Sequence, residues 1–378
     1  MTDRAAPPVA FRLVLAAVAA VALVVAVLAG LARLGWSVGT VRAVASHGPL
    51  FALGFLGTVI SLERAVAMSR RWVWLVPTAS AAGVVALLME IPSPVPAVFS
   101  LAAATGLIIV FVVAYRYQPE LHLLVMGTGA VCWLLAAAGL VFEVPRPGWV
   151  PAMAGFLVLT IVGERLELSR LVGVGAGARA LLLAGVTLVG GGAAVGLIES
   201  PAGARLAGAG LLVCAGWLGT NDVARRTIRI PGVTRYMAVA LLIGYLWLAA
   251  AGVLWGATGL NPGQLSYDAA IHALFLGFVI SMVFAHAPVI VPALTGVSLP
   301  YNRAFWAPLA LLHVSLGVRI TGDLAGWIDG RMWGGLFNAF AIALFAATAV
   351  TSAVVARIRE PAPRTKARVA AEPAETRI

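Results

Sequence analysis

The chain has 378 residues, of which 61% are hydrophobic and 11% are charged, and its mean hydropathy is +0.99. A soluble globular domain averages about 25% charged residues, so this composition excludes a water-soluble protein and predicts an integral membrane protein. The formal net charge is +11, and the basic residues lie mainly in short loops and near the C-terminus. There they set orientation in a bilayer rather than bind nucleic acid.

The two cysteines, Cys132 and Cys214, both lie within apolar runs. No CxxC pair and no CxxCH motif is present in the sequence. This absence disfavours an iron–sulfur cluster, a cysteine zinc site and c-type haem. We expect both cysteines to act as small packing residues that face lipid or the protein core.

Twelve apolar stretches are long enough to cross a membrane, since a spanning helix needs about 20 mostly apolar residues. Turn signals such as IPSPVP (91–96), EVPRPG (143–148) and LNPGQ (260–264) separate them. The sequence therefore predicts an all-α, polytopic membrane protein. We interpret the first stretch as a span and not as a cleaved signal peptide, because it is long and is followed by further spans. The predicted spans are 10–33, 47–68, 72–91, 95–115, 121–142, 150–170, 179–198, 203–222, 235–257, 267–287, 300–321 and 333–357.

The distribution of basic residues predicts the orientation. With a cytoplasmic N-terminus, most of the 26 Lys and Arg residues fall on the inner side. We predict a multi-pass protein of the cell inner (plasma) membrane with both termini cytoplasmic, comprising a transmembrane domain over 1–359 and a tail over 360–378. The tail is charged and rich in Pro and Ala, which is typical of disorder. The outer side carries only Arg33, Arg42, Arg146, Arg205, Arg319 and Arg331.

A gapless internal repeat relates the second, sixth and tenth spans. They contain GFLGTVISLER, GFLVLTIVGER and GFVISMVFAHA, starting at Gly54, Gly155 and Gly277. In each span an ionisable residue follows nine positions after the glycine. Because the three spans are four apart, this pattern predicts three four-helix units of the same topology with pseudo-threefold symmetry. The ionisable residues at the matched position are Glu63, Glu164 and His286.

Ionisable residues within spans are candidates for function, because each costs about 2.5–3.5 kcal/mol on membrane-insertion scales. Glu63–Arg64 and Glu164–Arg165 are adjacent pairs near the inner ends of their spans. Residues adjacent in sequence do not face each other on a helix, so we expect each to pair with another helix or to reach the inner interface. For these four residues and His286, a structural ion network and a proton or ion relay both remain open.

Two histidines are predicted in the outer third of repeat-related spans. His47 begins the second span, and His272 lies one turn into the tenth. Small residues that follow them, such as Gly54 and Gly277, would leave room for a flat macrocycle. Two neutral imidazoles can ligate a haem iron from opposite faces, so the pair is a candidate bis-histidine haem site, with Arg319 as a partner for the propionates. The alternative for each histidine is a hydrogen-bonded packing role.

This arrangement resembles subunit I of the haem–copper oxidases, in which twelve spans form three units and histidines on the second and tenth spans hold a haem. The stretch DAAIHALFLGFVISMVFAHAPVIVPALTG (268–296) is similar to the corresponding helix of the NnrS family, which comprises haem- and copper-containing membrane proteins linked to nitric oxide metabolism. The segment HVSLGVRITGDLAG (313–326) also looks like that group. The resemblance implies haem b at His47 and His272, with His313 close by as a distal group if one imidazole alone binds iron.

The copper site of that superfamily is not matched. Oxidases place copper-binding histidines on the sixth and seventh spans, and an HxH pair on the tenth, whereas the sixth and seventh spans here contain no histidine and HxH is absent. We therefore expect no copper and no oxygen reduction by this chain on its own, and whether the protein is an enzyme stays open. The resemblance implies electron transfer or a response to nitric oxide or another diatomic gas, with a respiratory-chain or redox partner.

A membrane protein without a cofactor is the alternative. It would be a proton-coupled transporter that uses Glu63, Glu164 and His286, or a scaffold for assembly of a respiratory complex. Against the transporter, no interrupted helices occur in matched halves, and the repeat is threefold. In either case the lipid bilayer is the expected environment, nucleic acid is not an expected partner, and the oligomeric state is not predicted.

Overall fold

The computed structural model describes residues 7–38, 42–169 and 173–359. This part of the chain is helical, as predicted, and the predicted tail over 360–378 lies outside it. We number the long helices in chain order. They are α1 Val9–Arg33, α2 Val44–Met68, α3 Arg71–Leu88, α4 Val95–Tyr117, α5 Leu121–Val141, α6 Val150–Ser169, α7 Ala176–Gly196, α8 Ser200–Asn221, α9 Val233–Thr258, α10 Leu265–Thr295, α11 Arg303–Ala325 and α12 Ile328–Arg359.

Eleven helices of the described chain are long and apolar enough to cross a membrane, and α6 is the long helix outside that set. Its 20 residues include Glu164, Arg165 and Glu167, and it is buried along most of its length. Because other helices enclose α6, Arg165 and most of Glu164 face protein, whereas the Glu167 side chain near the end of the helix is 44% exposed. The total of twelve spans thus stays a prediction.

The helix bounds agree with the predicted spans to within about five residues, except at the end of α10. We expected that span to end at residue 287, but α10 continues through Pro288 and Pro292 to Thr295. Proline in a soluble helix usually ends or kinks it. Inside a bundle, neighbouring helices and local adjustments satisfy the backbone groups that proline leaves unpaired, so the helix can continue.

The centre of the bundle is formed by α2, α6 and α10, which contact one another. These are the three helices that the internal repeat relates. Helices adjacent in sequence pack beside each other around this centre, for example α5 with α6, α7 with α8, and α11 with α12. We call the end of the bundle at Val9 the inner end, following the predicted orientation, and the opposite end the outer end.

Two of the central helices contain a π-helical stretch. It covers Leu50–Leu56 in α2 and Ala273–Ile280 in α10, and each begins four residues before the repeat glycine, Gly54 or Gly277. In α6 the corresponding residues are α-helical. π-Helical turns are rare in proteins, and those that occur are often found at functional sites. The repeat is therefore less regular in backbone geometry than in sequence, and α2 and α10 form a matched pair.

The contact between α7 and α8 is a close approach of two backbones through glycine. A Cβ added to Gly203 would overlap the backbone of Gly196, and one added to Gly192 would lie 2.5 Å from the backbone nitrogen of Ala207. Lipid provides no hydrophobic force between membrane helices, so small residues at the contact stabilise it by permitting close van der Waals packing. This interface requires glycine.

We expect Gly203→Ala to destabilise the detergent-solubilised protein by about 1–3 kcal/mol, the usual cost of overpacking a close contact. Gly216→Ala on the same helix is the control, because nothing lies within 4 Å of its added Cβ. Alanine also favours a helix over glycine by up to about 1 kcal/mol.

The buried free thiols of Cys132 and Cys214 allow unfolding to be followed with a thiol-reactive dye during heating. The melting temperature should fall for Gly203→Ala and stay unchanged or rise for Gly216→Ala. Equal melting temperatures for the two variants would contradict the packing argument.

Candidate functional site

The structure brings His47 of α2 and His272 of α10 together near the outer end. Their ring centroids are 6.3 Å apart, and the ring planes are inclined by 28°. Both rings line a cavity of about 90 Å³ that is bounded by α1, α2, α10, α11 and α12 together with Met153 of α6. The two histidines, which are not at the same repeat position, therefore face one common space.

Hydrogen bonds indicate which nitrogen of each ring carries the proton. Nδ1 of His47 is 2.6 Å from the carbonyl oxygen of Ala26, and Nδ1 of His272 is 2.9 Å from that of Asp268. A carbonyl oxygen can only accept, so both Nδ1 atoms donate, and Nε2 of each neutral ring keeps its lone pair. Histidines that ligate metals are commonly held in this way by a backbone carbonyl.

Arg319 of α11 links the ring of His272 to a group of ion pairs. Its Nη2 donates to Nε2 of His272 at 3.2 Å and to the Asp268 carboxylate at 2.8 Å. Arg331 of α12 lies 2.9 Å from the carboxylate of Asp323, whose side chain is fully buried. The predicted cation thus lies beside the histidine pair. Neither aspartate was among the residues predicted for a site, although acidic residues within spans are themselves a signal.

The predicted glycines lie elsewhere, which corrects their assignment to the cofactor site. A Cβ on Gly54 would lie 2.9 Å from Val84, and Gly277 packs against the ring of Trp247. Both glycines serve helix packing. The small residue next to the α2 imidazole is instead Gly30 of α1, where an added Cβ would lie 2.8 Å from Cε1 of that ring. Nothing in the local sequence pattern indicates this role.

His313 of α11 does not line the cavity, so we correct the expectation that it lies close by as a distal group. Its Nδ1 accepts a hydrogen bond from Nε1 of Trp247 at 3.0 Å, and its Nε2 is 3.5 Å from Oγ of Ser281. Ser281 is nine residues beyond His272 on α10, about 13 Å further along the helix axis. His313 therefore belongs to a deeper contact between α9, α10 and α11.

A second cluster occupies the inner parts of the central helices. Nη2 of Arg64 donates to Glu63 on the same helix and to Glu164 on α6, both at 3.0 Å. The expected pairing with another helix therefore occurs for Arg64 and Glu164. The expectation that Glu63 and Arg64 do not meet is wrong, because the long arginine side chain bends back to its neighbour.

Arg165 pairs with Asp222, which follows α8 directly. Its Nε and Nη2 lie 2.6 Å and 2.8 Å from the two carboxylate oxygens, and the hydroxyl of Tyr245 donates to the same carboxylate at 2.9 Å. The backbone N–H of Ala224 adds a further bond at 2.6 Å. Asp222, at the end of the predicted span 203–222, was not among the residues predicted for a site.

His286 completes the inner cluster from α10. Its Nδ1 is 2.7 Å from the carbonyl oxygen of Met282, and the imidazole lies within electrostatic range of Glu63, Arg165 and Asp222. The three ionisable residues at the matched repeat position are therefore neighbours. The described chain thus contains an outer and an inner polar cluster, separated along α2 by the sixteen residues from His47 to Glu63, or about 24 Å at the rise of an α-helix.

Chemically, the outer cluster offers two imidazole lone pairs beside guanidinium groups, and the inner cluster offers carboxylates beside a base. Within residues 7–38, 42–169 and 173–359, no group of three or more His, Cys, Asp or Glu side chains could hold a metal ion. Metal binding at the outer cluster would thus depend on two imidazoles and on whatever else the metal carries.

Comparison with known proteins gives a family but no characterised relative. A family model described as Domain of unknown function (DUF8744) matches residues 12–354. No curated protein and no solved structure matches the chain. The matched segment extends from α1 into α12 and contains both polar clusters. The chain therefore belongs to the DUF8744 family.

Proposed function

We propose that this protein binds haem b in the membrane, and that His47 and His272 are the residues that would hold its iron. The separation of the two rings carries the proposal. Imidazoles bind metals through bonds of about 2 Å, so two that share one ion through Nε2 have centroids about 6 Å apart. The rings here are 6.3 Å apart.

The hydrogen bonds of the two rings support the same role. Each Nδ1–H is held by a backbone carbonyl, which leaves the Nε2 lone pair available and limits rotation of the ring. An N–H donor facing such an oxygen also increases the basicity of the ligating nitrogen.

The space around the rings sets a condition on haem binding. The cavity of about 90 Å³ is smaller than a porphyrin, and Leu34, Phe51 and Phe275 form part of its wall. Haem binding therefore requires these side chains to turn away. It also requires Arg319 to leave Nε2 of His272, after which its guanidinium is positioned for a carboxylate of the haem.

The function we assign is electron transfer. When bound, haem supplies an iron that changes oxidation state, and two imidazole ligands leave no open position for a gas. A response to nitric oxide would require one histidine to leave the iron. We further propose that the protein lies in the cell inner (plasma) membrane with both termini cytoplasmic, which places the histidine pair near the outer surface and within reach of a redox partner there.

The test is the absorption spectrum of the purified protein, oxidised and reduced, after expression in haem-replete cells. We expect sharp α and β bands on reduction and one haem per chain. His47→Ala and His272→Ala should each abolish these bands. His313→Ala is the matched control, because this histidine lies within the bundle but outside the cavity, and it should retain them.

Three outcomes would overturn the proposal. One is a colourless protein. Another is a spectrum that is unchanged in both His47→Ala and His272→Ala. The third is iron or copper bound at these histidines without porphyrin, which metal analysis alongside a haem extraction assay would detect.

A second prediction concerns retention of haem. Arg319→Gln should release haem about 10- to 100-fold faster, since loss of a hydrogen bond to a charged group costs about 1.5–3 kcal/mol. Arg319→Lys keeps the charge and should lose less. The measurement is haem transfer to a soluble acceptor protein, with Arg205→Gln on the exposed outer surface as the control. Equal release rates for the Gln and Lys variants would exclude a role of the charge.

A further inference from the structure

The inner cluster forces two carboxylates close together. Oε1 of Glu63 and Oε1 of Glu164 are each 3.0 Å from the same atom, Nη2 of Arg64. The two oxygens can therefore be no more than about 6 Å apart. The glutamates come from different helices, so the arrangement is a product of the tertiary structure and not of neighbouring positions on one helix.

The two glutamates carry more negative charge, when both are ionised, than the single guanidinium of Arg64 can neutralise. Arg165 is engaged by Asp222 through two hydrogen bonds, so within residues 7–38, 42–169 and 173–359 Arg64 is the cation that hydrogen-bonds both glutamates. The glutamate side chains are only 26% and 23% exposed. Carboxylates that share a site repel each other strongly where protein replaces water, and one of them then binds a proton. In the described chain, Arg165, Glu167 and His286 also act electrostatically on this pair.

Two further atoms indicate a route for a proton. Nε of Arg64 is buried and has no hydrogen-bond acceptor in the described chain, and a buried donor of this kind takes a water molecule as its partner. Nδ1 of His286 donates to the carbonyl oxygen of Met282, so Nε2 of the neutral ring is a free base near Glu63.

We propose that Glu63 and Glu164 share one exchangeable proton, held between α2 and α6 by Arg64, and that this pair is a proton-binding site open to the inner side. Both glutamate side chains are partly exposed near the inner end of the bundle. A proton that leaves the pair for His286 would pass from a carboxyl oxygen to Nε2 of the neutral imidazole, which produces a carboxylate and an imidazolium. Proton binding at this site does not depend on haem at the outer cluster.

Infrared difference spectra between acidic and alkaline buffer, in H₂O and in D₂O, test the sharing of the proton. We expect the pair to contribute one carbonyl-stretch band of a protonated carboxyl group that shifts in D₂O, in addition to the band of the buried Asp323 carboxyl group. Glu63→Gln and Glu164→Gln should each remove the entire band of the pair, because the carboxylate that remains then pairs one-to-one with Arg64 and ionises. Two independent carboxyl groups would instead lose only about half of the band in each variant.

Glu143→Gln is the control, because this glutamate lies exposed in the turn after α5, and it should leave the band unchanged. Glutamine keeps an oxygen acceptor for Arg64, and the thiol-dye melting assay reports whether each variant is folded. Absence of the band of the pair, or a band of the pair that survives in both single variants or is halved in each, would overturn the proposal. The haem spectrum is recorded on the same samples, so failure of the haem assignment would be seen separately.

Discussion

A charged or polar side chain inside this bundle must find its partner within the protein, because hydrocarbon cannot hydrate it. Arg165 shows the constraint clearly. Its guanidinium meets a carboxylate that also accepts from a tyrosine hydroxyl and a backbone N–H, so Asp222 is satisfied by four donors. Such contacts determine how α6, the end of α8 and α9 lie against one another. They also explain why α6, which is more charged than its neighbours, lies enclosed among them.

The same constraint separates the protein into two levels. At the outer level, Arg319 and Asp268 surround an imidazole pair whose Nε2 atoms keep their lone pairs. At the inner level, one guanidinium serves two carboxylates. The outer arrangement suits a metal centre, because its two imidazoles are neutral electron-pair donors. The inner arrangement suits the binding of a proton, because its two carboxylates carry an excess of negative charge. Both levels are built on α2 and α10.

The offset between the two histidines has a geometric reason. His47 precedes its repeat glycine by seven residues and His272 by five, a difference of two residues or about 200° on an α-helix. The two rings therefore leave their own helices in different directions, into a cavity that α1, α11 and α12 also line. The π-helical stretches after each histidine mark the places where the turns of these helices are altered.

The sequence alone determined the membrane class, the positions of the long helices and the repeat that relates α2, α6 and α10, because apolar length and recurring spacing are local properties. It also marked Glu63, Glu164, His286, His47 and His272 as positions that require a partner. Only the tertiary structure decided those partners. These partners depend on the rotation and tilt of whole helices. Examples are the pairing of Arg165 with Asp222, the contact of Gly30 with the α2 imidazole and the hydrogen bond between Trp247 and His313. That rotation follows from packing and from π-helical turns, which leave no local trace in the pattern of residues.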